Sequence, residues 1–231
     1  MSHMHLRFPG ASSRNAKQWL PCAIMLGVSI LSAGCGTDLA IREPFPKPVM
    51  QKLPFSVGLY LGDAFVNHVH RETLPDGRDW SIDLGQANAI LFRQLLTGVF
   101  ERVTRVQRLA VGGALDAVIR PSIEDYQFST PEQSGTDYFE AWIEYQMHVY
   151  TPQGKLMTDW PVTGYGRSAM DFLGAREALL EASTLAMRDA AAAFTLGFAR
   201  RHGVRAYLYG SKTRSSAGSI SRTVTPYEST L

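Results

Sequence analysis

The stretch from Ala141 to Gly166, AWIEYQMHVYTPQGKLMTDWPVTGYG, decides the fold. Ala141, Ile143, Tyr145, Met147 and Val149 alternate with Trp142, Glu144, Gln146, His148 and Tyr150, the period of a strand with one face in a core. Thr151-Pro152-Gln153-Gly154 supplies turn residues, and the chain returns from Lys155 to Gly166, so the stretch reads as an antiparallel hairpin. Pro161 has no ladder donor, which places the return strand at a sheet edge or gives it a bulge. Gly164-Tyr165-Gly166 reads as that strand's ending.

Working outward, Asp171 to Arg200 is Ala-rich and helical in spacing, with Leu179, Ala182, Leu185, Ala186, Ala193, Phe194 and Phe198 on one face. Arg200-Arg201 suits its C-terminus. On the other side of the hairpin, Val103 to Leu109 and Ala114 to Phe128 read as strands joined by a turn at Gly112-Gly113. Gln86 to Phe100 has helical spacing through Leu91, Leu95 and Val99 beside Phe92, Leu96 and Phe100. Phe65 to Glu72 and Arg78 to Leu84 flank Pro75-Asp76-Gly77, a second hairpin, and Phe55, Val57, Leu59 and Leu61 alternate as a first strand. These elements predict an α+β fold, a mostly antiparallel or mixed sheet packed against two main helices, in one domain over residues 54–209.

The two ends differ from this body. GTDLAIREPFPKPVMQKLP carries Pro44, Pro46, Pro48 and Pro54, so residues 35–53 read as an extended tether reaching roughly 60 Å at about 3.1 Å per residue. From Gly210 the chain is rich in Ser, Thr and Gly, and 210–231 reads as a flexible tail. At the start, Arg7, Arg14 and Lys17 precede Trp19 to Leu31, WLPCAIMLGVSIL, a charge-free run shorter than the roughly 20 residues of a spanning helix. Basic region, short apolar run and small-residue boundary make residues 1–34 a signal peptide.

The boundary itself, Leu31-Ser32-Ala33-Gly34-Cys35, resembles the lipobox of bacterial lipoproteins, with Ser32 where Leu is commonest. The resemblance implies cleavage between Gly34 and Cys35 and acylation of the Cys35 thiol. Two or three acyl chains at about 0.8 kcal/mol per buried methylene anchor a protein stably without a spanning helix. Gly36 stands where Asp retains enteric lipoproteins in the inner membrane, so the resemblance implies a periplasm-facing outer-membrane protein. Cys22 would leave with the signal, and Cys35 would be the lone mature cysteine, consumed by the lipid.

Removing Arg7, Arg14 and Lys17 from 23 basic residues leaves 20 against 21 acidic, a net charge near −1 that gives no support to nucleic-acid binding. His68, His70 and Glu72 share a strand face but lack further convergent ligands, so they read as a solvated strand and no metal is expected. Glu124-Asp125 point to opposite faces, and Asp137 and Glu140 read as solvated. No G-x-S-x-G, P-loop, dinucleotide fingerprint or H-E-x-x-H occurs, so no enzyme and no cofactor beyond the lipid is expected. The architecture is similar to periplasmic domains of envelope lipoproteins such as the auxiliary subunits of lipid-transport ABC systems, LptE and the CsgG group.

The reading that results is an accessory or structural lipoprotein presenting a domain to a protein partner in an envelope assembly or transport complex. A carrier of lipid or glycan with an apolar cavity is the alternative, and an envelope hydrolase a third. Trp142, His148 and Tyr150 are the predicted partner surface, because aromatics in phase on the outward face are enriched where interfaces concentrate their energy.

Overall fold

The computed structural model describes residues 37–41, 45–113, 115–170, 174–198, 200–201, 204 and 206–210. Gly34, Cys35 and the signal segment lie outside the described residues, as does the tail beyond residue 210.

In chain order the elements are β1 (Thr37–Ala40), β2 (Leu53–Tyr60), α1 (Asp63–Val66), β3 (Val69–Thr73), β4 (Asp79–Asp83), α2 (Gly85–Val99), β5 (Phe100–Val106), β6 (Ala117–Ser129), α3 (Pro131–Ser134), β7 (Tyr138–Tyr150), β8 (Leu156–Ala169) and α4 (Ala175–Phe198). Five strands form a mixed sheet in the order β5-β2-β6-β7-β8, and three form a small one in the order β1-β4-β3. The α+β class is thus as the hydrophobic spacing predicts.

The Ala141 to Gly166 hairpin is the long antiparallel pair β7 and β8, with Trp142 opposite Tyr165 and Gln146 opposite Pro161. β8 is an edge strand, which accommodates Pro161. It does not end at Gly164 and Gly166 but continues to Ala169. Those glycines are where α4 lies on the sheet: a Cβ at Gly164 would land on the Ala186 carbonyl oxygen, and one at Gly166 on that of Ala182. Helix and strand backbones therefore approach more closely than any side chain would permit.

The expected β5–β6 hairpin does not form. β2 lies between them, parallel to both, pairing Val57 with Val103 on one side and with Ala117 on the other. Phe55, Val57 and Leu59 are buried, and so apolar a strand gains most from two neighbours. Parallel pairing requires a crossover, which the β3–β4 hairpin and α2 supply between β2 and β5. β6 pairs with β2 only over Ala117 to Ile119, so Pro121 sits where that strand's second edge is free of β2.

One face of the five-stranded sheet holds the core. Phe139, Ala141, Ile143, Tyr145, Met147 and Val149 of β7 are buried, as are Leu91, Phe92, Leu95, Leu96 and Val99 of α2. On α4 the buried face runs through Leu179, Ala182, Ser183, Ala186, Met187, Ala190, Phe194 and Phe198. Leu185 is only half-buried and Ala193 is exposed, because the helix turns its Ala and Ser residues toward the β8 glycines. Two polar links cross the core: the Tyr145 hydroxyl donates to Asn88 Oδ1, and the Tyr126 and Ser183 hydroxyls are 2.6 Å apart. Asn88 and Ser183 in turn donate to the Leu84 and Leu179 carbonyls, so all four side chains of these two links are satisfied.

The small sheet covers the end of this same face. Trp80 of β4 packs against Phe128 and Phe139, with ring centroids 5.7 and 6.3 Å apart. His70 lies 5.0 Å from the Tyr126 ring, so its strand is packed on one side where a solvated strand was expected. The Phe65 region, expected as strand, is the one-turn helix α1, and the β3–β4 hairpin begins only at Val69.

The described residues of the expected tether, 37–41 and 45–53, are not the free spacer that the prolines suggest. Thr37–Ala40 pair in parallel with β4, and Leu39, Ile41 and Phe45 are 3%, 5% and 4% exposed. Pro48 rests on Gly98, where a Cβ would meet its ring. Leu39 and Ile41 ahead of the prolines and Phe45 among them override the extended tendency of the proline spacing, because burying them in the core returns more free energy than solvated freedom does.

Candidate functional site

The two long helices and the small sheet pack on one side of the five-stranded sheet, which leaves the Trp142 half of the other side open. Trp142 is 41% exposed there, and Tyr165 opposite it is 38% exposed. Their rings meet at 5.2 Å and 44°. The Tyr165 hydroxyl donates to Glu140 Oε1 at 2.6 Å, and that bond raises its pKa, since the carboxylate stabilises the protonated phenol. Beside them the Arg167 guanidinium lies 4.8 Å over the Tyr138 ring, a cation–π contact.

Six residues further along β7, His148 and Tyr150 stack nearly parallel at 6.3 Å. His148 is half-buried, its Nδ1 3.3 Å from the Gln146 carbonyl oxygen. Tyr150 corrects the predicted partner surface: it is only 9% exposed, and Arg120 Nη1 donates to its hydroxyl at 3.5 Å. Its position next to the turn explains this, because loop residues Val111 and Gly112 donate to the Pro152 carbonyl and close over that end of the hairpin. The Trp142 and His148 positions are roughly 20 Å apart along the strand, so the aromatics form two clusters rather than one patch. Gln146 and Asp159, joined at 2.5 Å, lie between them.

Tyr165 was missed by treating Gly164 to Gly166 as a strand end. The signal was present: Pro161, Thr163, Tyr165 and Arg167 keep the outward phase through the last half of β8.

His68, His70 and Glu72 are not brought together as ligands. His70 Nε2 is 3.3 Å from Glu72 Oε2, whereas His68 precedes the strand and its carbonyl accepts the Leu84 and Gly85 N–H groups. Burial, and secondarily His70, lowers the His68 pKa. Among the described residues no three His, Cys, Asp or Glu side chains converge on a point. Elsewhere, an apolar groove of about 340 Å³ opens between residues 46–50 and the two long helices, lined by Pro48, Met50, Leu91, Leu95, Ala191 and Leu196.

No protein-family model matches the chain, and no curated protein does. Three solved structures are similar in part. A candidate lipoprotein from Caulobacter crescentus CB15 shares 14% identity with a TM-score of 0.34, over 55% of this chain and 83% of that one. A minor lipoprotein from Acinetobacter baumannii shares 13% with a TM-score of 0.35, over 63% and 91%. The hypothetical protein CT253 from Chlamydia trachomatis shares 10% with a TM-score of 0.36, over 75% and 98%. Likeness at this level assigns neither family nor activity. Among the described residues no helix is long and apolar enough to cross a membrane.

Proposed function

We propose that this chain is a non-enzymatic accessory lipoprotein of the cell envelope, anchored through Cys35 to the outer membrane. In this reading it faces the periplasm and offers the open sheet face to a protein partner. The observation that carries the proposal is the exposed Trp142–Tyr165 pair on a sheet whose opposite face is fully packed. A cross-strand aromatic pair contributes only about 0.2–1 kcal/mol to the fold, whereas aromatics carry much of the energy of interfaces.

The test is a photo-crosslinking amino acid at Trp142 or Tyr165 in intact cells, with Thr104 of the same face as a distant control. A discrete crosslinked partner from the first two positions and not from the third is expected; equal, diffuse crosslinking from all three refutes the surface. In parallel, Cys35→Ser should leave an uncleaved, unlipidated protein. A Ser variant that still fractionates with membranes at mature size refutes the anchor.

The groove beside residues 46–50 favours a second reading, a carrier for an acyl chain, since its volume falls in the range of small-molecule sites. Native mass spectrometry of the mature protein showing no bound lipid would remove that reading.

A further inference from the structure

We propose that one end of the domain, formed by the 74–78 turn, the 130–137 segment and Met170, docks on the surface of the phospholipid bilayer that holds the Cys35 lipid. The inference rests on the lipoprotein reading of Cys35 and adds an orientation to it.

The argument begins from chain length. Cys35 precedes Thr37, the first residue of β1, by two residues, and two residues span at most about 7 Å in any conformation. The acylated cysteine is therefore confined to the place where β1 begins. That place is fixed in the fold: Thr37 is in register with Trp80 at the start of β4, directly after the 74–78 turn. Arg78 Nη2 lies 3.9 Å from Glu132 Oε2, which sets the turn beside α3. Trp80 also packs on Phe128, near the end of β6, and Phe139, near the start of β7. β8 reaches the same end, where Ala169 pairs with Tyr138 and Met170 is 52% exposed.

The 107–116 loop and the 151–155 turn lie at the other end of the sheet, about 40 Å away along the thirteen residues of β7. With a spacer of the roughly 60 Å that the proline pattern suggests, either end could meet the lipid. With β1 packed, only one can. Charges at this end are mixed and partly paired, Arg78 with Asp76 at 2.6 Å and with Glu132, so the covalent anchor rather than charge attraction holds the surface down. The Trp142–Tyr165 pair then stands about 13 Å above the docking end, within reach of a partner embedded in the same membrane.

The experiment uses the full chain, purified in lipidated form and reconstituted in phosphatidylethanolamine and phosphatidylglycerol vesicles. Single cysteines replace exposed residues at the two ends, Asp137→Cys and Lys155→Cys, and each is labelled with a maleimide fluorophore. Quenching by phosphatidylcholine that carries a headgroup nitroxide is read out. A several-fold stronger quenching at 137 than at 155, unchanged by salt, is expected. Equal quenching at both sites overturns the orientation while leaving the anchor intact.

The parent protein is the control for the anchor: a Cys35 held as a lipid thioether takes no maleimide label, and a labelled parent overturns the lipoprotein reading and this inference with it. A flexible Gly/Ser insertion of about 15 residues between Gly36 and Thr37 should abolish the difference between the sites. A difference that survives the insertion overturns the short-tether argument.

Discussion

Substituting Gly166 with Ala probes the contact on which the hairpin and the C-terminal helix depend. The added Cβ would land on the Ala182 carbonyl oxygen, with Ala186 N at 2.5 Å and Leu185 Cβ at 2.7 Å, where ordinary contact begins at 3.4 Å. These are helix backbone and Cβ atoms that no rotamer change can move aside, so α4 must retreat by roughly 1 Å, which loosens the core face it presents. Overpacking of this kind costs about 1–3 kcal/mol, and relief of glycine's unfolded-state entropy returns about 0.5–1 kcal/mol. A clash with backbone atoms this close places the cost at the upper end of that range, so the net loss is about 2 kcal/mol, a fall in Tm of about 4–8 °C for a domain of this size. Gly164→Ala should cost the same. One retreat of the helix accommodates both methyl groups, so the double variant should lose about 3 kcal/mol, with a coupling of about 1 kcal/mol. Gly197→Ala in the same helix, whose Cβ meets nothing, should be neutral or slightly stabilising. Urea unfolding followed by fluorescence of the buried Trp80 and Trp160 measures all four. A Gly166→Ala protein as stable as the parent, or a double variant whose losses simply add, would refute a helix seated as one body on both glycines.

Leu39→Ala and Phe45→Ala should each lower stability by about 2–5 kcal/mol in the same assay, because both side chains are core; unchanged midpoints would restore the free-spacer reading. Stability should also fall above about pH 10. Burial raises the folded pKa of both Tyr126 and Tyr145 above the ordinary 10.0, so their protonated contribution is complete below that pH. As pH rises past it the unfolded chain ionises while the folded one stays protonated, and the contribution is lost. Tyr126→Phe with Tyr145→Phe should flatten that loss above about pH 10, and an unaltered slope would show that other groups cause it.

The elements with an unbroken period were legible from residues alone. β7 shows strict alternation from Tyr138 to Val149, and α2 shows helical spacing from Leu91 to Val99. What failed depended on contacts distant in sequence. Nothing local to Gly112-Gly113 reveals that β2, some fifty residues earlier, will insert between β5 and β6. Leu39, Ile41 and Phe45 are scattered among prolines and charges, and only partners distant in sequence, β4 beside Leu39 among them, turn them into core. Gly164 and Gly166 resemble a terminus locally and become a helix seat only when α4 arrives. At the candidate surface, Trp142 was readable from phase, whereas the burial of Tyr150 depended on a loop from residues 107–116 folding over the turn.

Pro161 has a consequence beyond β8. The proposed anchor would confine the chain to a membrane, reduce its diffusion to two dimensions and raise the effective concentration of neighbouring copies, so exposed strand edges would meet one another often. The five-stranded sheet has two such edges, and each is poor as a template for self-pairing. β8 carries Pro161, which offers no N–H, near the middle of its 14 residues, and β5 exposes Glu101, Arg102 and Arg105 along its length. A Pro161→Thr variant would restore the missing N–H and lengthen the exposed edge as far as Tyr165, whose N–H already donates to Asp189 Oδ2, and chains held side by side by the proposed anchor would then pair along it.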